Sequence, residues 1–333
     1  MVNPVLVELT RGGVVESVHR GAIAVCDPAG RVVKCLGAIA APVFARSSLK
    51  PFQALPLVAS GAADAFGVTD AELALACASH SSEPGHVEAV RAWLARIGAG
   101  DADLVCGPHW PRHEPAMQAM LRAGEKPARV HNNCSGKHTG FLTLARHLQA
   151  PLAGYERPDH AVQRAVFAAV EALCGVDPVT GPMGSDGCAA PIPAFPLVAL
   201  ARGMARFAES AEAGDYAGAA GRIVRAMAAH GWMVAGTGRS CTDLMAELGG
   251  AIVKTGAEGV FVAALPAEGL GIALKIDDGA TRAAETAIVT VLSALGALGA
   301  GSVAARRHGP GPLHNYRGDV VGERRAAPDL AAF

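Results

Sequence analysis

Lysine is scarce in this chain. Of 29 basic residues only Lys34, Lys50, Lys126, Lys137, Lys254 and Lys275 are lysines, and arginine carries the remaining positive charge. Arginine stays protonated in proteins, so each lysine that stands where arginine would serve is informative. Net charge is also lacking. At -1 it gives no electrostatic case for nucleic acid or an anionic membrane surface. Aromatic residues make up only 5%. The eight cysteines (26, 35, 77, 106, 134, 174, 188, 241) are scattered without a Cys-x-x-Cys pair. A disulfide framework is therefore not expected, and spacing alone favours buried free thiols over a metal site. The segment Met1 to Gly13 puts Glu8 and Arg11 where a secretory signal needs an apolar run, so a cytoplasmic protein is expected. Long apolar runs are nearly absent as well. The exception, Thr286 to Ala305, carries no charge, but it is Ala-rich and holds Gly296, Gly299 and Gly301. It reads as a buried helix with a glycine-rich stop, not as a membrane span.

What remains is a globular composition, 51% hydrophobic and 18% charged over 333 residues, enough for one large domain or two modest ones. Val5 to Leu36 alternates short β-type runs with turns, and Asp27-Pro28-Ala29-Gly30 predicts a hairpin between Ala22–Cys26 and Val32–Cys35. Helical spacing or Ala-rich character marks Leu55–Ala62, Ala71–Ala78, Pro84–Ile97, Pro115–Ala123, Gly140–His147 and Pro158–Cys174. Ile252–Lys254, Val260–Leu265 and Gly271–Ile276 read as a strand meander. Thr281–Leu298 reads as a helix, and Gly318–Gly322 as a final strand. This order predicts an α+β fold: an antiparallel sheet from both chain ends, flanked by helices, with a helical region inserted in sequence. The expected organisation is one enzyme unit over 1-333, with sheet in about 1-46 and 232-333 and mostly helix in about 47-231.

Two short motifs carry chemistry. Ser47-Ser48-Leu49-Lys50 is a Ser-x-x-Lys, and Lys254-Thr255-Gly256 is a Lys-Thr-Gly. Residues three apart share a helix face, so Lys50 is placed to reach Ser47. A partly desolvated lysine facing a second cation can act as a base for a serine nucleophile. Lys-Thr-Gly on an edge strand supplies that cation and a backbone wall. Serine β-lactamases and penicillin-binding proteins use this pairing, which makes acyl transfer through serine the first hypothesis. The bland reading of the first motif is a helix start with Ser47 as N-cap and Lys50 solvated.

Other clusters have bland readings too. Cys77 to His86 holds Ser79, His80, Ser81 and Ser82. A helix start with Ser82 as N-cap and Pro84 in the first turn explains only part of it. His131-Asn132-Asn133-Cys134-Ser135-Gly136-Lys137-His138 is the densest polar run, and Gly136 would permit a ligand to approach the backbone. Gly184-Ser185-Asp186-Gly187-Cys188 offers a carboxylate for a substrate ammonium, or simply an Asx turn. Gly236-Thr237-Gly238-Arg239-Ser240 lacks the lysine and spacing of a phosphate loop, which argues against nucleotide binding.

Taken in order, Arg46 to Gln53, Ala78-Ser79-His80-Ser81, His131 to His138, Gly236 to Ser240 and Val253 to Gly259 resemble the rhizobial-type, or class 3, L-asparaginases, over about Val5 to Val321. That family is a branch of the β-lactamase and glutaminase superfamily. The resemblance implies hydrolysis of L-asparagine to L-aspartate and ammonia, usually by a homodimer. It implies Ser47 as nucleophile with Lys50 as base, and Ser79 with Lys254 as a second tandem. Arg46, His80, Asn133, His138, Asp186, Gly187 and Thr255 are implied around the substrate. Cys134, Lys137 and Cys188 are implied as a zinc site that tunes affinity more than chemistry. A glutaminase or β-lactamase-like amidohydrolase is the alternative. A β-lactamase or peptidase is disfavoured by the missing Ser-x-Asn motif between the tandems. A non-catalytic amino-acid- or metal-binding protein is a further alternative, against which two intact Ser–Lys pairs stand.

Overall fold

The run Val260–Leu265 is apolar at each position, and each of its side chains is buried. A strand of this kind has to be covered on both faces. The computed structural model describes residues 2–209, 216–299 and 301–333. In it this strand lies inside an antiparallel sheet ordered Gly311–His314, Val320–Ala326, Val5–Arg11, Val14–Cys26, Leu270–Ile276, Val260–Leu265, Ile252–Thr255, with Val32–Leu36 also paired to Val14–Cys26. The predicted hairpin turn is present, with Gly30 N donating to Asp27 O at 2.9 Å. Helices Leu197–Glu209 and Thr281–Ala294 pack on the central strands. Gly271 lets the first of these press onto the sheet, because a Cβ there would overlap Ala205 N and Ala201 O. The helix that carries Thr286 ends at Ala294, and Gly296 follows at φ +76°. Among the described residues no helix is long and apolar enough to cross a membrane.

Contacts divide the chain into two compact units. The first is Met1–Ser48, Phe195–Glu209 and Asp243–Phe333, and the second is Leu49–Ala194 and Ser210–Thr242. The helix Leu197–Glu209, expected in the helical stretch, groups with the sheet because its apolar face is spent on strands Val14–Cys26 and Leu270–Ile276.

The second unit is built from helices. Lys50–Ala59 packs on Ser135–His147, Ala161–Cys174 and Ala219–Ala229, and Asp70–Ala76 packs on Ser135–His147 and Ala219–Ala229. Asp70–Ala76 starts with a capping box, in which Thr69 Oγ1 accepts from Glu72 N and Glu72 Oε2 accepts from Thr69 N. Two local expectations are corrected. Helix Pro84–Arg96 has Glu83, not Ser82, at its N-cap, since Ser82 is turned away at φ +59° and its hydroxyl donates to His131 O. Gly136 does not open the backbone to a ligand. A Cβ there would overlap Leu75, so this glycine serves helix–helix approach. A short hairpin, Met183–Ser185 with Pro191–Pro196, completes the part that matters for the site.

Candidate functional site

In the first unit, Ser47 lies on a 3-10 turn, Arg46–Leu49, that runs into helix Lys50–Ala59. Arg46 takes φ +52°, a conformation L-residues adopt at a cost of order 1–3 kcal/mol, found mostly at functional sites. Neither Ser47 nor Ser48 is the helix cap. The N-cap is Leu49, without a side-chain hydrogen bond. The two adjacent serines differ in what they are free to do. Ser48 is buried with its Oγ donating to Ala45 O at 2.6 Å, while Ser47 is half-buried.

The Lys-Thr-Gly motif lies on the edge strand Ile252–Thr255, as expected. Lys254 is buried and its Nζ donates to Thr255 O at 2.7 Å. Gly256 binds this motif to the serine turn. A Cβ at 256 would sit 2.9 Å from Ala45 O and 3.3 Å from Ser48 N. Gly256 N already donates to Val260 O at 2.7 Å, so it is not an oxyanion donor.

The second unit holds Lys50, Ser79, His80, Asn133, Cys134, Lys137, His138, Asp186, Gly187 and Cys188. Lys50 and Lys137 are 1% and 3% exposed, and lysine is rarely so buried without partners. Lys50 Nζ has three partners: Ala78 O, Ser79 Oγ at 3.0 Å and Cys134 Sγ at 3.1 Å. The bland reading of a solvated Lys50 is thereby excluded. Lys137 Nζ lies 2.9 Å from Cys188 Sγ and 5.5 Å from the Phe141 ring centroid. A hydrogen bond from Cys134 lowers the pKa of Cys188 against the opposing effect of burial, with help from the Lys137 charge, and the same bond raises Cys134. Burial disfavours the Lys137 ammonium, but Cys188 and Cys134 outweigh it and raise its pKa. Both shifts favour the charged form of the pair, a Cys188 thiolate facing a Lys137 ammonium.

The segment carrying Ser79 is tightly held. Ser79 N donates to Val234 O at 2.9 Å, His80 N to Asn133 O at 3.1 Å, and Ser81 Oγ to Ala235 O at 2.9 Å. His80 is fully buried and kept neutral by burial first, then by the nearby His86 and Lys50. Ser82 N donates to His80 Nδ1 at 3.2 Å, so the ring proton is on Nε2 and points to Ser135 Oγ, 2.9 Å away. His80, His86 and Trp232 form a stack, with centroid spacings of 5.1 and 4.0 Å. His138 Nδ1 lies 2.7 Å from Tyr155 Oη, and burial first, then Lys137, keep this ring neutral too. Asp186 opens a turn in which Gly187 N donates to its Oδ1 at 2.8 Å and Ala189 N to its O at 2.8 Å, with Ala189 at φ +69°. This is a backbone β-turn and not the expected Asx turn, since the carboxylate accepts from the next residue and not from the one after it. Its carboxylate still acts electrostatically on Lys137 and Cys188.

Sequence reading missed His109 and Glu83. His109 Nε2 accepts from Asn133 N at 2.8 Å, which fixes the loop entering helix Ser135–His147. Glu83 accepts from Thr237 N and Thr237 Oγ1, each at 2.7 Å, and so ties Gly236-Thr237 to the Ser79 segment. Neither had a spacing signal.

Among the described residues no group of three His, Cys, Asp or Glu side chains could hold a metal. Cys134, Lys137 and Cys188 form a set of another kind, with a lysine as one donor. Two sulfurs in hydrogen-bond contact and a nitrogen 2.9 Å from one of them make a soft donor set that suits zinc once the ammonium has lost its proton.

Among solved structures, a β-lactamase of Mycobacterium bovis matches at 17% identity and TM-score 0.40, covering 79% of this chain and 89% of that one. Mglu in its tris and glutamate form matches at 16% identity and TM-score 0.40, covering 91% of this chain and 65% of that one. No curated protein sequence matches the chain. The model of the family described as L-asparaginase II matches residues 7–326, a span that takes in both serine–lysine motifs and the Cys134, Lys137, Cys188 set. The chain therefore belongs to the L-asparaginase II family and is an asparaginase-type amidohydrolase.

Proposed function

We propose that the protein hydrolyses L-asparagine to L-aspartate and ammonia through a seryl acyl-enzyme. The Lys50 amine takes the Ser47 proton, and Ser47 Oγ attacks the carbon of the side-chain amide. The tetrahedral oxyanion is held by backbone N–H groups, and collapse breaks the C–N bond. The nitrogen leaves as ammonia with a proton returned through the second tandem, Ser79 and Lys254. Water then attacks the ester, yielding aspartate and free Ser47. Arg46, His80, Asn133, His138, Asp186, Gly187 and Thr255 surround the substrate in this reading. Zinc, held by Cys134, Lys137 and Cys188, would supply a Lewis acid that orients the bound amino acid. The resemblance also implies a homodimer.

The observation that carries the reading is the buried Lys50 Nζ held 3.0 Å from a serine of the second tandem, inside a chain of this family. The same contact favours one variant, in which Ser79 is the nucleophile and Lys50 its base. Ammonia release from asparagine, from glutamine and hydrolysis of a chromogenic β-lactam, measured side by side, test the substrate. Turnover of the β-lactam without ammonia release from asparagine would overturn the asparaginase reading in favour of the lactamase-like one.

A further inference from the structure

The Arg239 guanidinium and the Arg112 backbone both reach Ser81 in the second unit. Arg239 Nη1 donates to Ser81 Oγ at 3.3 Å. Arg112 N and His113 N both donate to Ser81 O, at 3.1 and 3.2 Å. Neither guanidinium has an ion pair among the described residues. Desolvation first, and then the like charge of Arg239, push the Arg112 guanidinium below its ordinary pKa. Arg239 is half-buried, and a guanidinium that gives one N–H to a serine hydroxyl still has donors for an anion. The Arg239 backbone is set deliberately. Glu83 grips Thr237, and a Cβ on Gly236 at φ +108° would come within 2.5 Å of Glu83 Oε1, so position 236 is held to glycine. Ser81 lies two residues after Ser79, the serine that Lys50 touches.

We infer that Arg239, assisted by Arg112, binds the α-carboxylate of the amino-acid substrate. This gives the Gly236 to Ser240 loop a carboxylate to recognise in place of the phosphate its composition suggests. It rests on the reading that the substrate is a free amino acid with a side-chain amide. A guanidinium suits the task because its planar fork matches a carboxylate. A substrate without that carboxylate gains nothing from it, so the pair sets specificity and not the chemistry of the amide.

The test compares wild type, Arg239→Gln, Arg239→Lys and Arg112→Gln. kcat and KM are measured for L-asparagine and for 3-aminopropanamide, which lacks the α-carboxylate. In parallel, calorimetry measures L-asparagine and its α-amide binding to the Ser47→Ala protein, with and without Arg239→Gln. The expectation is a rise in KM for L-asparagine of roughly 100-fold in Arg239→Gln, the loss of charged hydrogen bonds. Arg239→Lys should recover part of it, Arg112→Gln should show a smaller rise, and 3-aminopropanamide turnover should be little changed. In calorimetry, Arg239→Gln should weaken L-asparagine and leave the α-amide unaffected. Equal losses on both substrates, or none, would overturn the assignment, as would equal weakening of both ligands. Should wild type release no ammonia from asparagine, the hydrolase reading falls, and the calorimetric comparison still decides the carboxylate site on its own.

Discussion

Lys50 Nζ stands 3.0 Å from Ser79 Oγ, with Cys134 Sγ 3.1 Å away from the same nitrogen. One lysine thus touches the second tandem and the thiol pair together. Lys50→Met should lower kcat for asparagine by about 10²–10⁴-fold, the usual contribution of a positioned acid–base group. It should also destabilise the protein, because Ala78 O loses its partner. Steady-state kinetics and thermal unfolding of the variant check both. A variant with near wild-type kcat would remove Lys50 from the chemistry.

The serines are separated by paired substitutions. Ser47→Ala should abolish turnover and leave the unfolding temperature little changed, since the side chain is half-buried and loses one oxygen. Ser79→Ala should retain slow acyl-enzyme formation, seen by intact mass after mixing with substrate. If Ser47→Ala accumulates an acyl-enzyme and Ser79→Ala does not, the nucleophile is Ser79.

Cys134→Ala and Cys188→Ala should each remove zinc, because each takes away one sulfur of a three-donor set. Asparagine KM should rise by more than kcat falls. Elemental analysis of the purified variants reads the first outcome and kinetics the second. Unchanged zinc content in both would place the metal elsewhere.

Glu83 carries an acid-sensitive part of the stability. Burial raises its pKa, but the hydrogen bonds from Thr237 and the His113 charge outweigh this, and the folded value lies below the ordinary one. A depressed carboxyl stabilises the fold above its unfolded pKa of about 4.3, and that contribution is lost as pH falls through the folded value. Glu83→Gln should therefore cost about 1–3 kcal/mol near pH 7. The deficit relative to wild type should shrink below about pH 4. Denaturant titrations at a series of pH values measure it, and a pH-independent deficit would show that shape, not charge, matters at 83.

Gly256→Ala should strain the joint between the edge strand and the serine turn. Its Cβ would meet Ala45 O and Val260 Cβ at 2.9 Å, and overpacking of this kind costs about 1–3 kcal/mol. Because Ser48 N is the next neighbour, activity should fall by more than stability alone explains. Full activity with unchanged unfolding would mean that the strand can shift without disturbing Ser47.

The sequence by itself determined the element types and the identity of the chemical groups. Val260–Leu265 had to be a doubly covered strand because no position in it is polar, and Lys254 followed onto the sheet edge. Five motifs in order sufficed to indicate the family. The hairpin Met183–Ser185 with Pro191–Pro196 was hidden, because its three prolines argue against a strand and only its pairing makes it one. The tertiary structure alone decided who meets whom. Lys50 finds Ser79 across 29 residues of sequence and Cys134 across 84, Glu83 finds Thr237 across 154, and Gly136 meets Leu75 instead of a ligand. Periodicity reports neighbours three or four residues apart, whereas these contacts are set by how packed helices bring distant loops together.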